Sequence, residues 1–302
     1  MRIYSLAIAW NWEHDADFVR CIANACQSRK ISVLNLQPNN LNEILAEIRA
    51  GRVTFQSFYD RASDDDDEFL SVVDAIKNHD IVIINPHSFA ERAKDKAAMH
   101  GELSAAGLRV PFTIIIPPYN RNPQLDVDEH ALEKLRRPFV IKPAVTTGGG
   151  TGVILRAESL QDVIDTRQHH KDDKYLLQEQ IRPVLLDGGR AWFRVFYAFG
   201  ETIICWWDDR THIYRDCLIA EEKQFGLTEL RTIILKIQAI CNLDFFSSEI
   251  ALNAEGNFIV IDYVNEICDM RFQSRFEDGV PDAVVHRIVN LLVDHIAAKI
   301  AV

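Results

Sequence analysis

Lys142 closes the apolar run Phe139-Val140-Ile141-Lys142, and the segment behind it, Pro143 to Gly152, carries four glycines and three threonines. A strand that delivers an ammonium group to a glycine-rich loop is suited to holding phosphates, because residues without a Cβ let backbone N–H groups approach the oxygens closely. No Gly-Lys-Ser/Thr follows and no helix opens behind the loop, so this is not a P-loop, and the spacing does not fit the dinucleotide-binding fingerprint. A flexible hairpin turn beside a surface lysine is the plainer alternative. Further along, Ser248-Glu249-Ile250 and Ile261-Asp262-Tyr263-Val264-Asn265-Glu266 set acids inside apolar, strand-like runs. A carboxylate there is costly unless it is paired or metal-bound. Glu249 and Asp262, converging with an Asn amide oxygen, would make a hard oxygen set suited to magnesium; ion pairing with Arg194 or Arg271 is the alternative.

The 302 residues are 48% hydrophobic and 25% charged, the composition of a globular protein, which excludes disordered, collagen-like and fibrous classes. Such a length suits about two domains or one elaborated α/β unit. With 33 Lys and Arg against 44 Asp and Glu the net charge is −11. A phosphate lattice or an anionic membrane repels such a surface, so small-molecule partners are expected, with neither nucleic acid nor membrane. No stretch approaches the roughly 18 apolar residues of a membrane span, and the first residues read as a strand rather than a leader, so the expected location is cytoplasmic. Cys21, Cys26, Cys205, Cys217, Cys241 and Cys268 are scattered without a CxxC pair and read as buried free thiols.

These side chains need elements to position them. Arg2 to Ala9, Ile31 to Leu36 and Ile81 to Ile84 read as strands, and residues 15–28, 41–50 and 68–78 as helices, a β-α punctuation that implies a parallel sheet covered on both faces. The acid run Asp64 to Glu68 suits a helix N-terminus or a solvated loop. One long helix is expected over Phe89 to Ala106, then a strand over Phe112 to Ile116. From Arg137 onward strands dominate: 139–142, 152–155, 175–180, and a hairpin of 191–199 with 202–207 turning at Gly200. A helix over 228–241, strands at 246–252 and 258–263, and an amphipathic helix over 282–299 complete the chain. Trp192, Trp206 and Trp207 belong to packed strands.

At Ala93-Lys94-Asp95-Lys96-Ala97-Ala98-Met99, at Ala105-Ala106-Gly107-Leu108-Arg109-Val110-Pro111, at Ile-Lys142-Pro with its loop, and at Leu176-Leu177-Gln178-Glu179-Gln180-Ile181, the sequence resembles the ATP-grasp superfamily. Within it, the resemblance is to the carboxylate-amine ligases that include D-alanine-D-alanine ligase, glutathione synthetase and the RimK-type enzymes. It covers nearly the whole chain. It implies an α/β architecture in three parts: an N-terminal parallel α/β domain over 1–106, a small lid subdomain over 107–180, and a C-terminal mixed-sheet subdomain over 181–302. ATP with Mg2+, or Mn2+ in its place, would lie between the last two.

By the same resemblance Lys96 and Lys142 bind nucleotide, Thr147, Gly148, Gly149 and Gly150 cover its phosphates, and Gln178, Glu179 and Ile181 receive the adenine. Glu249, Asp262 and Asn265 fall on the metal positions. The family separates the last acid and Asn by one residue, whereas two intervene here; a one-residue bulge would restore the geometry, and otherwise Glu266 or Asp269 takes the place of Asn265. Arg194 resembles the arginine beside the transferring phosphate, where a guanidinium stabilises developing charge. Arg271 sits where the family often binds substrate carboxylate. His87 and Ser88 are candidate contacts to the acceptor.

The activity implied is ligation: a small carboxylate or amino acid is phosphorylated by ATP to an acyl phosphate that an amine attacks. A kinase of the same fold acting on a hydroxyl, and a nucleotide-binding protein without turnover, are the alternatives, and a homodimer is compatible with the resemblance.

Overall fold

The computed structural model describes residues 1–125, 127, 129–146 and 150–300. The first sheet is all parallel, in the order β2 (Val33–Leu36), β1 (Arg2–Trp10), β3 (Val53–Arg61), β4 (Val82–Ile84). Leu6 to Ala9 are wholly buried, so the central strand is covered on both faces. The cover comes from α1 (Ala16–Ser28), α2 (Leu41–Arg49) and α3 (Leu70–Ile76). In α1 the buried residues Phe18, Val19, Ile22 and Cys26 recur at helical spacing along one face.

Strand β3 is absent from the sequence reading. Its run Thr54-Phe55-Gln56-Ser57-Phe58-Tyr59-Asp60-Arg61 mixes polar residues into a buried position, where tertiary partners satisfy them: Ser57 Oγ donates to the Ser5 carbonyl at 2.6 Å, and Arg61 pairs with Asp15. The long helix expected over 89–106 is two helices, α4 (His87–Lys94) and α5 (Lys96–Ala105). Asp95, extended at ψ 96°, breaks it and caps α5 by accepting the N–H groups of Ala97 and Ala98. Within the acid run, Asp66 accepts the Glu68 N–H at the start of the short helical turn that leads into α3.

The second sheet is antiparallel in the order β5 (Thr113–Ile116), β8 (Tyr175–Glu179), β6 (Phe139–Pro143), β7 (Ile154–Ala157), with α6 (Glu129–Lys134) and α7 (Leu160–Thr166) in its connections. The hairpin β9 (Leu185–Leu186) and β10 (Gly189–Arg190) leads to the third sheet, in the order β13 (Tyr214–Asp216), β12 (Glu201–Trp207), β11 (Trp192–Ala198), β14 (Phe245–Leu252), β15 (Phe258–Asn265), again antiparallel. The β11–β12 turn falls at Phe199 and Gly200, both at positive φ.

Helices α8 (Ile219–Gln224) and α9 (Thr228–Cys241) follow β13, and α10 (Asp282–Ile300) ends the described chain. The buried face of α10, from Val284 to Ile296, shares one core with Leu6 and Ile8 of the first sheet, with Phe18 of α1 that covers it, and with Trp192, Phe196 and Trp207 of the third sheet. The C-terminal helix thereby ties the first and third sheets together. Among the described residues no helix is long and apolar enough to cross a membrane.

Candidate active site

Residues directly opposite on neighbouring antiparallel strands share a face. Arg194 of β11 stands opposite Glu249 of β14, and Glu249 opposite Asp262 of β15, so three charges line up across the third sheet. The β14–β15 register then shifts: Ser247 pairs with Asn265 while Glu249 pairs with Asp262, so β15 spends three residues where β14 spends two. That is the bulge the Asp262 to Asn265 spacing calls for, and it brings Asn265 to the face that carries Asp262. A second shift, between Glu249/Asp262 and Ile250/Val260, adds another extra residue to the same strand.

Two lysines from elsewhere complete the row. Lys96, in the first turn of α5, has its Nζ 3.7 Å from Asp262 Oδ1, and Lys142, at the end of β6, donates to the Ile261 carbonyl at 3.1 Å. The position of α5 follows from backbone and cap: Lys96 N–H donates to the Ala144 carbonyl at 2.9 Å, and Asp95 Oδ2 holds Lys174 at 3.0 Å. Arg194 Nη2 lies 2.7 Å from Glu249 Oε1, and Trp192 Nε1 donates to the other oxygen at 3.2 Å. The Arg194 guanidinium sits over the Trp207 ring at 4.8 Å, and Trp207 stacks in turn on His212. The three tryptophans are thus packed strand residues, and two of them also orient the charges.

Burial makes this electrostatics strong. Lys142, 6% exposed, is lowered to about 8 by burial and by repulsion from Lys96, against the pull of Asp262 and Glu249. Burial pushes Glu249 up, and Asp262 adds to it against the opposite pull of Arg194. Asp262 is held low because Lys96, Lys142 and Arg194 outweigh its burial. Two neighbouring carboxylates with an amide on the same face fit a divalent cation bound through oxygen. Among the described residues no three His, Cys, Asp or Glu side chains gather into a metal-sized group; the register of β14 and β15 sets two carboxylates, Glu249 and Asp262, on one face with Asn265.

The positions expected to receive adenine carry a chain of hydrogen bonds. Thr113 O–H donates to the Pro111 carbonyl at 2.9 Å; Gln178 Nε2 donates to Thr113 Oγ1 at 3.1 Å and to Tyr263 O at 2.9 Å; Tyr263 O lies 2.7 Å from His100 Nδ1. Burial and the nearby Lys142 lower the His100 imidazole below its ordinary value. Both Gln178 amide protons are therefore spent, and its Oε1 is left as an acceptor. Glu179 is turned away: its Oε1 accepts the Phe112 N–H at 2.7 Å. Ile181 lies past the last paired residue of β8.

At the glycine loop, the N–H groups of Val145 and Thr146 and the Thr146 hydroxyl all reach Asp173 Oδ2 at 2.9 Å, and Gly150 lies at φ +80°. Thr147, Gly148 and Gly149 lie outside the described residues.

The arginines divide sharply. Arg271 does not join the charge row: its guanidinium is claimed by Asp269 and Asp278 and packs over Phe276 at 5.0 Å. Arg190 pairs with Asp209, Arg215 with Glu221 and Arg275 with Asp17. His87 lines a small cavity with Asp60, Ser63, Asp64, Asn85, Glu91 and Glu266, whereas Ser88 is exposed and outside it. There burial pushes Glu266 up to about 7. Sequence reasoning missed Asp173, Tyr263 and His100; each acts through a partner distant in the chain, and only the Asp262-Tyr263 adjacency was visible as a signal.

Solved structures share this whole arrangement of sheets. The ATP-grasp ligase PsnB, complexed with a minimal precursor, Mg and ADP, superposes with TM-score 0.66 at 16% identity over 99% of both chains. The chain has the ATP-grasp fold. A RimK domain ATP-grasp protein from Sphaerobacter thermophilus matches at TM-score 0.66 and 16% identity over 96% of this chain and 98% of that one. D-alanine–D-alanine ligase from Bacillus anthracis, complexed with ATP, matches at 0.66 and 14% over 98% of each. Neither a family model nor any curated protein matches the sequence.

Proposed function

We propose that this ATP-grasp chain is an ADP-forming ligase that joins a small carboxylate or amino acid to an amine through an acyl phosphate. The observation that carries this reading is the row of alternating charge formed by Lys96, Asp262, Lys142, Glu249 and Arg194 where the second and third sheets meet. The Mg and ADP held by PsnB and the ATP held by the Bacillus anthracis ligase support it. In this reading residues 1–106 receive the acceptor, 107–180 form the lid, and 181–302 carry the metal ligands.

Transfer of a phosphoryl group between two anions requires neutralisation of charge before bonds move. Lys96 and Lys142 repel one another in a buried place, a tension that a polyphosphate between them relieves. Gln178, with both protons spent, offers an oxygen to a donor such as the exocyclic amine of adenine, and Ile181 offers apolar contact to the base. Glu249, Asp262 and Asn265 would hold magnesium, which when bound draws charge from the phosphate oxygens. Arg194, fixed by Glu249 and Trp207, supplies a further positive charge at the reacting end. The glycine loop, fastened at its entry by Asp173, closes over the phosphates and keeps water from the activated acid.

The test is ADP release from Mg-ATP across a panel of amino acids, short peptides and other carboxylates, with hydroxylamine present. A hydroxamate in step with ADP is the expected result. ADP without hydroxamate overturns carboxylate activation in favour of phosphorylation of a hydroxyl, and no ADP with any acceptor removes the enzymatic reading.

A further inference from the structure

Pairing between β14 and β15 ends at Ser247 with Asn265, so beyond that residue nothing in the sheet fixes the chain. The segment that follows is held by side chains of the first sheet instead. At the end of β3, Arg61 is 2% exposed and grips Asp15 with both edges of its fork, Nη2 to Oδ1 at 2.7 Å and Nε to Oδ2 at 2.9 Å. The same Nη2 donates to the Cys268 carbonyl at 2.9 Å, Nη1 donates to the Tyr59 hydroxyl at 3.1 Å, and the guanidinium lies over Phe18 at 5.1 Å.

Just past β4, Asn85 is 5% exposed. Its Nδ2 donates to the carbonyls of Phe245 at 2.6 Å and Glu266 at 3.2 Å, and its Oδ1 accepts the N–H groups of Asp244 at 3.0 Å and Phe245 at 3.1 Å. Cys268 Sγ closes the turn by donating to the Asn265 carbonyl at 3.4 Å. Three carbonyls, of Asn265, Glu266 and Cys268, are thus each held by a side chain, two of them by residues from the C-terminal ends of parallel strands in the first sheet.

A buried ion pair returns little net stability over apolar residues of the same bulk. What it provides is direction: a fork locked by Asp15 presents one N–H to one carbonyl oxygen at a fixed point. Asn85 does the same while also fastening the start of β14, so both strands that carry Glu249 and Asp262 are referred to the first sheet.

We propose that Arg61 and Asn85 are positioning residues, a two-point clamp through which the first sheet sets the place of Asn265 and the end of β15. This rests on the metal reading given above. It makes the first sheet part of the metal site's geometry as well as a platform for the acceptor.

The test is the double variant Asp15→Leu/Arg61→Met, which removes the Arg61 point of the clamp without leaving a buried charge unpaired. Three quantities are read: melting temperature, amide hydrogen exchange over residues 266–271, and the Mg2+ concentration that half-saturates binding of a fluorescent ADP analogue. The clamp predicts a melting temperature within about 5 °C of the wild type, exchange faster by about tenfold or more, and a Mg2+ requirement raised about tenfold, with metal-free binding of the analogue unchanged. Wild-type exchange overturns the clamp. Faster exchange with an unchanged Mg2+ requirement also overturns it, because the contact is then a local fastening only. Arg61→Lys keeps the charge beside Asp15 but lacks the fork, and it repeats the measurement should the double variant not fold. A wild-type protein that shows slow exchange at 266–271 but no Mg2+-dependent binding overturns the metal reading instead, and the two failures are told apart.

Discussion

The second and third sheets meet at the same site and contribute to it by opposite means. In the third sheet the chemistry lies in side chains: Arg194, Glu249 and Asp262 stand opposite one another on adjacent strands, and a one-residue slip of any strand would turn its charge to the other face. In the second sheet Lys142 is the one charged side chain of β6, and what surrounds it is backbone: the Ala144 carbonyl that receives Lys96, the N–H groups anchored by Asp173, and glycines at positive φ. In the proposed reading, the groups that would hold a cation are set by register, which is rigid, and those that would wrap an anion are set on a loop. Substitutions should therefore be costly and specific in the third sheet and milder in the second.

The largest effects are expected on β14 and β15. Glu249→Gln and Asp262→Asn should each lower Mg2+-dependent nucleotide turnover by on the order of a hundredfold or more. They should differ in stability. Glu249→Gln strips the carboxylate from a largely buried Arg194 and should cost about 3 kcal/mol, whereas Asp262 is more exposed than Glu249 and its ion-pair partner Lys96 more exposed than Arg194, so its variant should cost less. Calorimetry of the two decides it: equal melting temperatures break the contrast.

Lys142→Gln should weaken nucleotide binding about tenfold and flatten its pH dependence. The sign follows from Lys142 titrating near 8 in the free protein, below its ordinary value. Below pH 8 the lysine is already charged and affinity for ADP in EDTA is level; above it, binding must take up a proton and affinity falls. Titration from pH 6.5 to 9.5 shows this, and a wild-type affinity that rises with pH refutes it.

Smaller still, Gln178→Met should reduce discrimination of ATP over GTP by about tenfold, as expected for loss of one hydrogen-bonding group; unchanged discrimination in competition binding would remove Gln178 from base recognition. Least of all, Gly152→Ala should cost about 1–2 kcal/mol, more than Gly107→Ala. Both lie at positive φ, +72° and +75°, but an added Cβ at Gly152 meets Pro143 Cγ at 3.1 Å and His170 Nε2 at 3.3 Å while at Gly107 it meets nothing within 4 Å. The difference between their melting temperatures isolates the contact from the strain.

Much of this arrangement is legible in the residue order. The helix over 228–241, the C-terminal helix and the β11–β12 hairpin follow from periodicity and turn residues, because each is decided by neighbours close in the chain. The requirement for a bulge between Asp262 and Asn265 is also visible, since two intervening residues place them on opposite faces of a regular strand. The break at Asp95 was missed because the alanine-rich pattern around it reads as one continuous helix, and the cap on Ala97 and Ala98 is joined by distant contacts with Lys174 and Ala144; β3 was missed because its Ser57 and Arg61 find partners far away in sequence. The partners of Arg271 were not legible: its position after β15 suggests a substrate contact, and in the structure its guanidinium pairs with Asp269 and Asp278.

The sequence alone determined which groups stand ready for chemistry, namely lysines at a strand end and on a helix, a glycine loop, and acids within apolar strands, because types and local spacing suffice for that. Tertiary structure decided which of them meet. Arg194 rather than Arg271 joins the carboxylates, Gln178 donates its amide N–H groups to Thr113 and Tyr263, and Arg61 reaches Cys268, 207 residues away. Each outcome is a contest for buried hydrogen bonds and countercharges among groups distant in sequence, and the cost of leaving any of them unpartnered settles it only when the whole chain is packed.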